Sequence, residues 1–138
     1  MMGLPTYTLR KRKARDMDFL FGTWLDSWRV SRWAGTVPNH LFYETHRQLI
    51  EDLLARGAFV VLAHKPGAED DLLGFACSEL KDSRCVLHYA YTKTEASPEV
   101  RSALVAACPG EKPGWISHLI PGFRDWRHAP EFARRKSL

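Results

Sequence analysis

Between Leu72 and Cys108 the chain reads strand, tight turn, strand, capped helix, and this order constrains the rest of the fold most strongly. The runs Leu72–Leu80 and Arg84–Thr92 are rich in apolar, aromatic and β-compatible residues, and only Lys81-Asp82-Ser83 separates them. A connection that short predicts an antiparallel hairpin. Ser97 then offers an N-cap, Pro98 a first helical residue with its φ already set, and Glu99 a first-turn acid. Pro109-Gly110 ends the helix so begun. A hairpin that feeds a helix in this way aims the positive end of the helix at the end of its second strand.

The flanking segments supply the remaining elements. Thr6-Tyr7-Thr8-Leu9-Arg10, after Pro5, has the character of a first strand. Asp16 or Asp18 caps a helix reaching about Arg32, whose Leu20, Phe21, Trp24, Leu25 and Trp28 recur at helical spacing and form its core face. Gly35 and Pro38 interrupt that pattern. Asn39 caps a second helix with a stripe of Phe42, His46, Leu49, Ile50, Leu53 and Leu54, stopped by Gly57. His46 on that stripe is read as a core residue.

Phe59–Ala63 is a continuous apolar run, expected of a strand covered on both faces. Lys65–Asp71 reads as a turn, and Trp115–Ile120, closed by Pro121-Gly122, as a last strand. The expected architecture is one α/β (α+β) domain over residues 1–138, ordered β-α-α-β-β-β-α-β around a mixed central sheet. Residues 1–15 hold the first strand and a basic segment, and 123–138 a short basic tail.

Composition excludes several classes. With 138 residues and 45% hydrophobic content the chain can bury a core without staples. Its three cysteines, Cys77, Cys85 and Cys108, form no C-x-x-C pair and are odd in number, which indicates neither a zinc site nor a disulfide framework and suits a reducing cytoplasm. Six histidines show no H-E-x-x-H spacing, so no metal is expected. No apolar run approaches the ~20 residues of a membrane span, and the basic start lacks the apolar core of a signal peptide.

Several of these segments resemble a known family. Asp71-Leu72-Leu73-Gly74-Phe75-Ala76 is similar to the third-strand signature of the GNAT acyltransferase superfamily, and two amphipathic helices before the second strand match its lid helices. The stretch Asp18–Arg29 and the Val37-Pro38-Asn39 helix start resemble a subgroup of small GNAT-like proteins from bacteriophage and prophage genomes. That likeness implies a place in the cytoplasm of a bacterial host or in a virion. It also implies an acetyl-coenzyme A site where the fourth strand meets the third helix, with the pantetheine arm entering between the fourth and fifth strands.

The superfamily's diphosphate loop has the form R/Q-x-x-G-x-G/A, whereas Lys93–Ala103 contains no glycine. Pro98 removes an amide donor, and Glu95 and Glu99 add negative charge to a place that should attract anions. The first expectation is therefore a GNAT-like protein without a cofactor that acts through protein contacts, for instance with phage structural subunits. The alternative is an acetyl-coenzyme A-dependent N-acetyltransferase, with Tyr91, Ser97, Arg101 and Ser102 at the cofactor.

In that alternative His88, His118 or Glu79 serves as general base and Tyr89 or Tyr91 as general acid. Strict alternation places Leu87, Tyr89 and Tyr91 on one face of their strand and His88 and Ala90 on the other. Ser117 and His118 fall on opposite faces and do not form a hydrolase pair. Trp33, Trp115, Arg124, Trp126 and Arg127, aromatics and arginines at element ends, are the candidate docking residues. Basic clusters, Arg10 to Arg15 and Arg124 to Lys136, leave a nucleic-acid partner as a third reading.

Overall fold

A computed structural model describes residues 7–20, 22–23, 39–93, 96–117, 123 and 125–129, with the backbone alone for 39–46. The chain divides into two units, Lys13–Ala58 on one side and Met1–Arg12 with Phe59–Leu138 on the other.

The first of these units is helical. A 3-10 turn at Ala14–Asp16 continues into helical residues 17–20 and 22–23. Asp16 fixes the entry, since its buried carboxylate accepts the Lys13 N–H at 2.7 Å. Residues beyond 23 in the expected first helix, Trp24 and Trp28 among them, lie outside the described residues. Helix α1 spans Asn39–Ala55. Its buried Ile50 and Leu53 lie on the expected stripe, and the pairs Arg47–Glu51 (3.2 Å) and Gln48–Asp52 (2.9 Å) line its exposed side. Gly57 closes α1 at φ +88. Its N–H bonds Leu54 O and the Ala58 N–H bonds Leu53 O, a Schellman ending that needs a left-handed residue.

The second unit is a six-stranded sheet in sequence order. Its strands are β1 (Thr8–Lys11), β2 (Phe59–Lys65), β3 (Ala68–Lys81), β4 (Arg84–Thr92), β5 (Glu111–Ile116) and β6 (Arg127–His128). The first four pair antiparallel, and β4–β5 and β5–β6 pair parallel. Helix α2, Pro98–Ala107, makes the crossover that the parallel β4–β5 pair requires. Its Val100 and Leu104 pack on a sheet face lined by Val61, Ala76, Leu87 and Ile116. No described helix is long and apolar enough to cross a membrane.

The hairpin appears where the sequence puts it. Asp82 (φ 49) and Ser83 (φ 67) form a two-residue turn with both residues left-handed, and Lys81 pairs Arg84. Two expected boundaries change. Glu69, Asp70 and Asp71 belong to β3, not to a turn; they are polar because that end of the strand is exposed. Likewise β5 starts at Glu111 and ends at Ile116, with 118–120 outside the described residues.

The early start of β5 depends on backbone proximity. A Cβ on Gly114 would sit 2.0 Å from the Cys85 carbonyl oxygen, so only glycine lets β5 approach β4 there. We expect Gly114→Ala to cost about 3 kcal/mol by forcing these backbones apart. Urea unfolding measures this as a lower midpoint at unchanged slope.

Candidate active site

The β3–β4 ladder contains one irregularity, and the site is built on it. Cys77 pairs Tyr89 and Ser78 pairs Leu87, so His88 is an extra residue, a β-bulge in β4. Leu87 and Ala90 face α2, as their place in the core beside Val100 and Leu104 shows. The bulge leaves His88 opposite Leu87 and brings Tyr89 and Tyr91 onto the face of His88. Strict alternation had grouped His88 with Ala90; the inserted residue resets the phase. Bulges occur where a strand must redirect a side chain.

On that face His88 is fully buried between two partners. Its Nδ1 lies 2.6 Å from Ser117 Oγ and its Nε2 2.7 Å from Glu79 Oε1. Glu79 comes from β3, one residue past the bulge, and Ser117 from the end of β5. The parallel register Val86↔Trp115 and Leu87↔Ile116 brings Ser117 beside His88, and the Ser117 N–H closes the pairing on Leu87 O at 3.1 Å. Past that bond β4 continues to Thr92, paired among the described residues only with β3. The trio therefore lies at the last β4–β5 pair among the described residues.

Hydrogen-bond direction follows from the chemistry of the groups. An ionised Glu79 only accepts, so His88 Nε2 carries a proton. In the neutral ring Nδ1 is then an acceptor, and the Ser117 hydroxyl donates to it. Glu79 retains 22% side-chain exposure, whereas His88 and Ser117 retain 0% and 2%. Solvent thus meets this chain of groups at the carboxylate. A carboxylate holding a buried imidazole, which in turn holds a hydroxyl, can accept a proton and share the resulting charge.

The remaining candidates scatter. Tyr89 is buried and Tyr91 half-buried, with ring centroids 5.5 and 6.2 Å from that of Phe75. Ser97 stands at the N-cap of α2 but makes no capping hydrogen bond, and its Oγ is buried without a partner. Pro98, Glu99 and Ser102 are exposed. The Arg101 guanidinium lies 4.7 Å over the Phe123 ring, and burial pushes its pKa below the usual value. Trp126 stands edge-on to Phe123 at 5.4 Å, half-buried against the α2 core, while Arg127 is exposed in β6 and Trp115 half-buried in β5. His118, Trp33, Arg124 and Glu95 lie outside the described residues.

Sequence reasoning missed Ser117 as a partner because it sought one in His118, the neighbour in sequence. The relevant neighbour lies across the parallel ladder. No group of three or more His, Cys, Asp or Glu among the described residues could hold a metal ion.

No protein-family model and no curated protein matches the chain. Two solved structures are similar to it. One is described as "Putative acetyl transferase from Pyrococcus furiosus", 18% identical, covering 72% of this chain and 70% of its own, with a TM-score of 0.56. The other is the PaiA N-acetyltransferase from Thermoplasma acidophilum in complex with coenzyme A, 18% identical, covering 74% and 69%, with a TM-score of 0.48. At this identity the first likeness concerns the fold, and it bears out the expected GNAT-like mixed α/β architecture. Neither points to a phage or virion protein.

The trio makes a direct prediction. Ser117→Ala and Glu79→Ala each remove a hydrogen bond to a buried ring, and each is expected to cost about 1–3 kcal/mol. Because both act through His88, the double variant should lose less than the sum, which a double-mutant cycle by urea unfolding measures.

Proposed function

We propose that this chain is an acyltransferase that uses acetyl-coenzyme A to acylate an amine. The observation that carries this reading is the Glu79–His88–Ser117 chain at the bulge, beside the last β4–β5 pair of the described residues. The fold likeness to an acetyltransferase is consistent with it but cannot alone decide a function.

An amine attacks an acyl carbon only once its nitrogen has a free lone pair, so acylation requires a proton acceptor near the acceptor nitrogen. Glu79 is the member of the trio that solvent reaches. It takes the proton, and the His88 Nε2–H holds the receiving carboxylate in a fixed orientation. The Ser117 hydroxyl on Nδ1 keeps the imidazole in the tautomer that donates to Glu79. Tyr91, half-buried at the C-terminal end of β4, supplies a phenol on the same face.

The start of α2 fits a phosphate-bearing group better than its sequence suggests. Ser97 leaves a buried hydroxyl unsatisfied at the positive end of the helix. Pro98 and Glu99 are exposed, so Glu99 contributes a solvent-screened charge. Ser97 and the first backbone amides of α2 would hold the diphosphate. Bound there, acetyl-coenzyme A supplies a thioester as the acyl donor.

Coenzyme A should raise the melting temperature of the protein by several degrees, because a ligand of the native state stabilises it by linkage. Glu79→Gln should keep that shift while lowering kcat for acetyl transfer by roughly 10²–10⁴-fold. No shift with the coenzyme would overturn the proposal and return the cofactor-free, protein-docking role to first place.

A further inference from the structure

A second buried cluster lies on the α2 side of the sheet, away from the trio. Cys85 in β4 is 0% exposed and Cys108, the C-cap of α2, is 1% exposed; both belong to the same packed core. The two thiols are neighbours, each the largest influence on the other's proton affinity. Cys108 Sγ also donates to Leu104 O at 3.4 Å. The turn after Cys108 presses on Cys85: Gly110, at φ +107, has its α-carbon so close that a Cβ would sit 2.6 Å from Cys85 N. Lys112 folds back over this turn, its Nζ donating to Cys108 O at 2.5 Å and Gly110 O at 3.2 Å. Ser78, 0% exposed, points its hydroxyl at the same region without a close hydrogen-bond partner.

From this packing we infer that Cys85 and Cys108 form a reversible intramolecular disulfide, a redox site that clamps the C-terminal end of α2 to β4.

The surroundings divide the labour between the two sulfurs. The Cys85 thiol beside it holds Cys108 below the usual thiol pKa, and the Lys112 ammonium adds to this against the cost of burial. Cys85 is pushed up, first by its neighbour Cys108 and then by burial. Cys108 is therefore the attacking thiolate. Its neighbours Ala107 and Pro109 are exposed, so opening of the last helical turn brings it to the surface.

With a small disulfide such as oxidised glutathione as oxidant, the exchange balances as follows. The Cys108 thiolate attacks one sulfur of the oxidant, forming a mixed disulfide and releasing one glutathione thiolate, which takes up the Cys108 proton. Cys85 then attacks Cys108 Sγ, releasing the second glutathione thiolate, which takes up the Cys85 proton. Two protein thiols are oxidised and one glutathione disulfide becomes two glutathione thiols. Cys77, also buried, faces the other side of the sheet with Phe75 and Tyr89 and takes no part.

The test is to incubate the native chain with excess oxidised glutathione, alkylate the remaining thiols, and map the peptides by mass spectrometry. A Cys85–Cys108 disulfide with Cys77 alkylated is the expected result, and dithiothreitol should restore three alkylatable thiols. In an unfolded chain the shorter Cys77–Cys85 loop closes more readily, so the linkage found also reports whether the folded state formed it. A Cys77–Cys85 linkage, a lasting glutathione adduct on Cys108, or three free thiols would each overturn the inference. The oxidised protein should melt several degrees higher than the reduced one. Cys77→Ser should oxidise as the parent does, and if it instead loses the disulfide the inference fails.

Discussion

One residue too many in β4 governs the arrangement of this molecule's polar groups. Because Tyr89 pairs Cys77 and Leu87 pairs Ser78, His88 has no partner of its own in the ladder, and Tyr89 and Tyr91 join it on the face away from α2. Without the insertion, residue 88 would alternate with Leu87 and Tyr89, and Tyr89 and Tyr91 would share the face of Leu87. The ring contacts of Phe75 with Tyr89 and Tyr91 would be lost, leaving His88 on its face without the two tyrosines. The bulge thus sets which side of the sheet receives the aromatic and polar residues of the C-terminal half of β4.

A second constraint fixes what His88 meets there. β5 approaches β4 closely enough for Ser117 to reach the ring only because Gly110 and Gly114 present no side chain to the backbone of Cys85. Glu111 N–H bonds Ser83 O at 2.9 Å and Arg84 donates to Pro113 O at 3.1 Å, which tie the start of β5 to the hairpin turn. The register so fixed runs from Arg84↔Glu111 to Leu87↔Ile116 and delivers Ser117. A turn and two glycines at one end of a strand pair thereby position a hydroxyl at the other.

How far the fold was legible follows from these particulars. Local signals worked where local chemistry decides: the Asp82-Ser83 turn, the Ser97-Pro98 helix start and the Gly57 stop all stand as read. Burial decided the Glu69–Asp71 segment, whose charges mimic a loop although they sit on the exposed end of a paired strand. Pro113 and Gly114 look like breakers, yet among the described residues β6 pairs β5 at Trp115 and Ile116, after the imino residue. The site was half legible. His88, Glu79, Tyr89 and Tyr91 were named from residue type, but a bulge leaves no mark in a single sequence, and Ser117 is a neighbour of His88 only through a parallel register. The case against a bound phosphate rested on the absent glycine, on Pro98 and on Glu95 and Glu99; of the two acids Glu99 is exposed and Glu95 lies outside the described residues.

The two buried clusters invite an energetic comparison. Apolar side chains at Glu79, His88 and Ser117 would give up the hydrogen bonds but also the desolvation of three polar groups, a substitution that is often neutral or favourable. The same holds for Ser78, whose hydroxyl is buried with no close partner at all, at a cost of about 1–3 kcal/mol. Stability alone therefore gives no reason for a sheet whose central strand is otherwise filled by Val86, Leu87 and Ala90 to carry these groups. On one face the polar residues end in a carboxylate that solvent reaches; on the other they surround two thiols of opposite proton affinity. On the roles proposed above, one cluster moves a proton and the other an electron pair, and β4 contributes a residue to each.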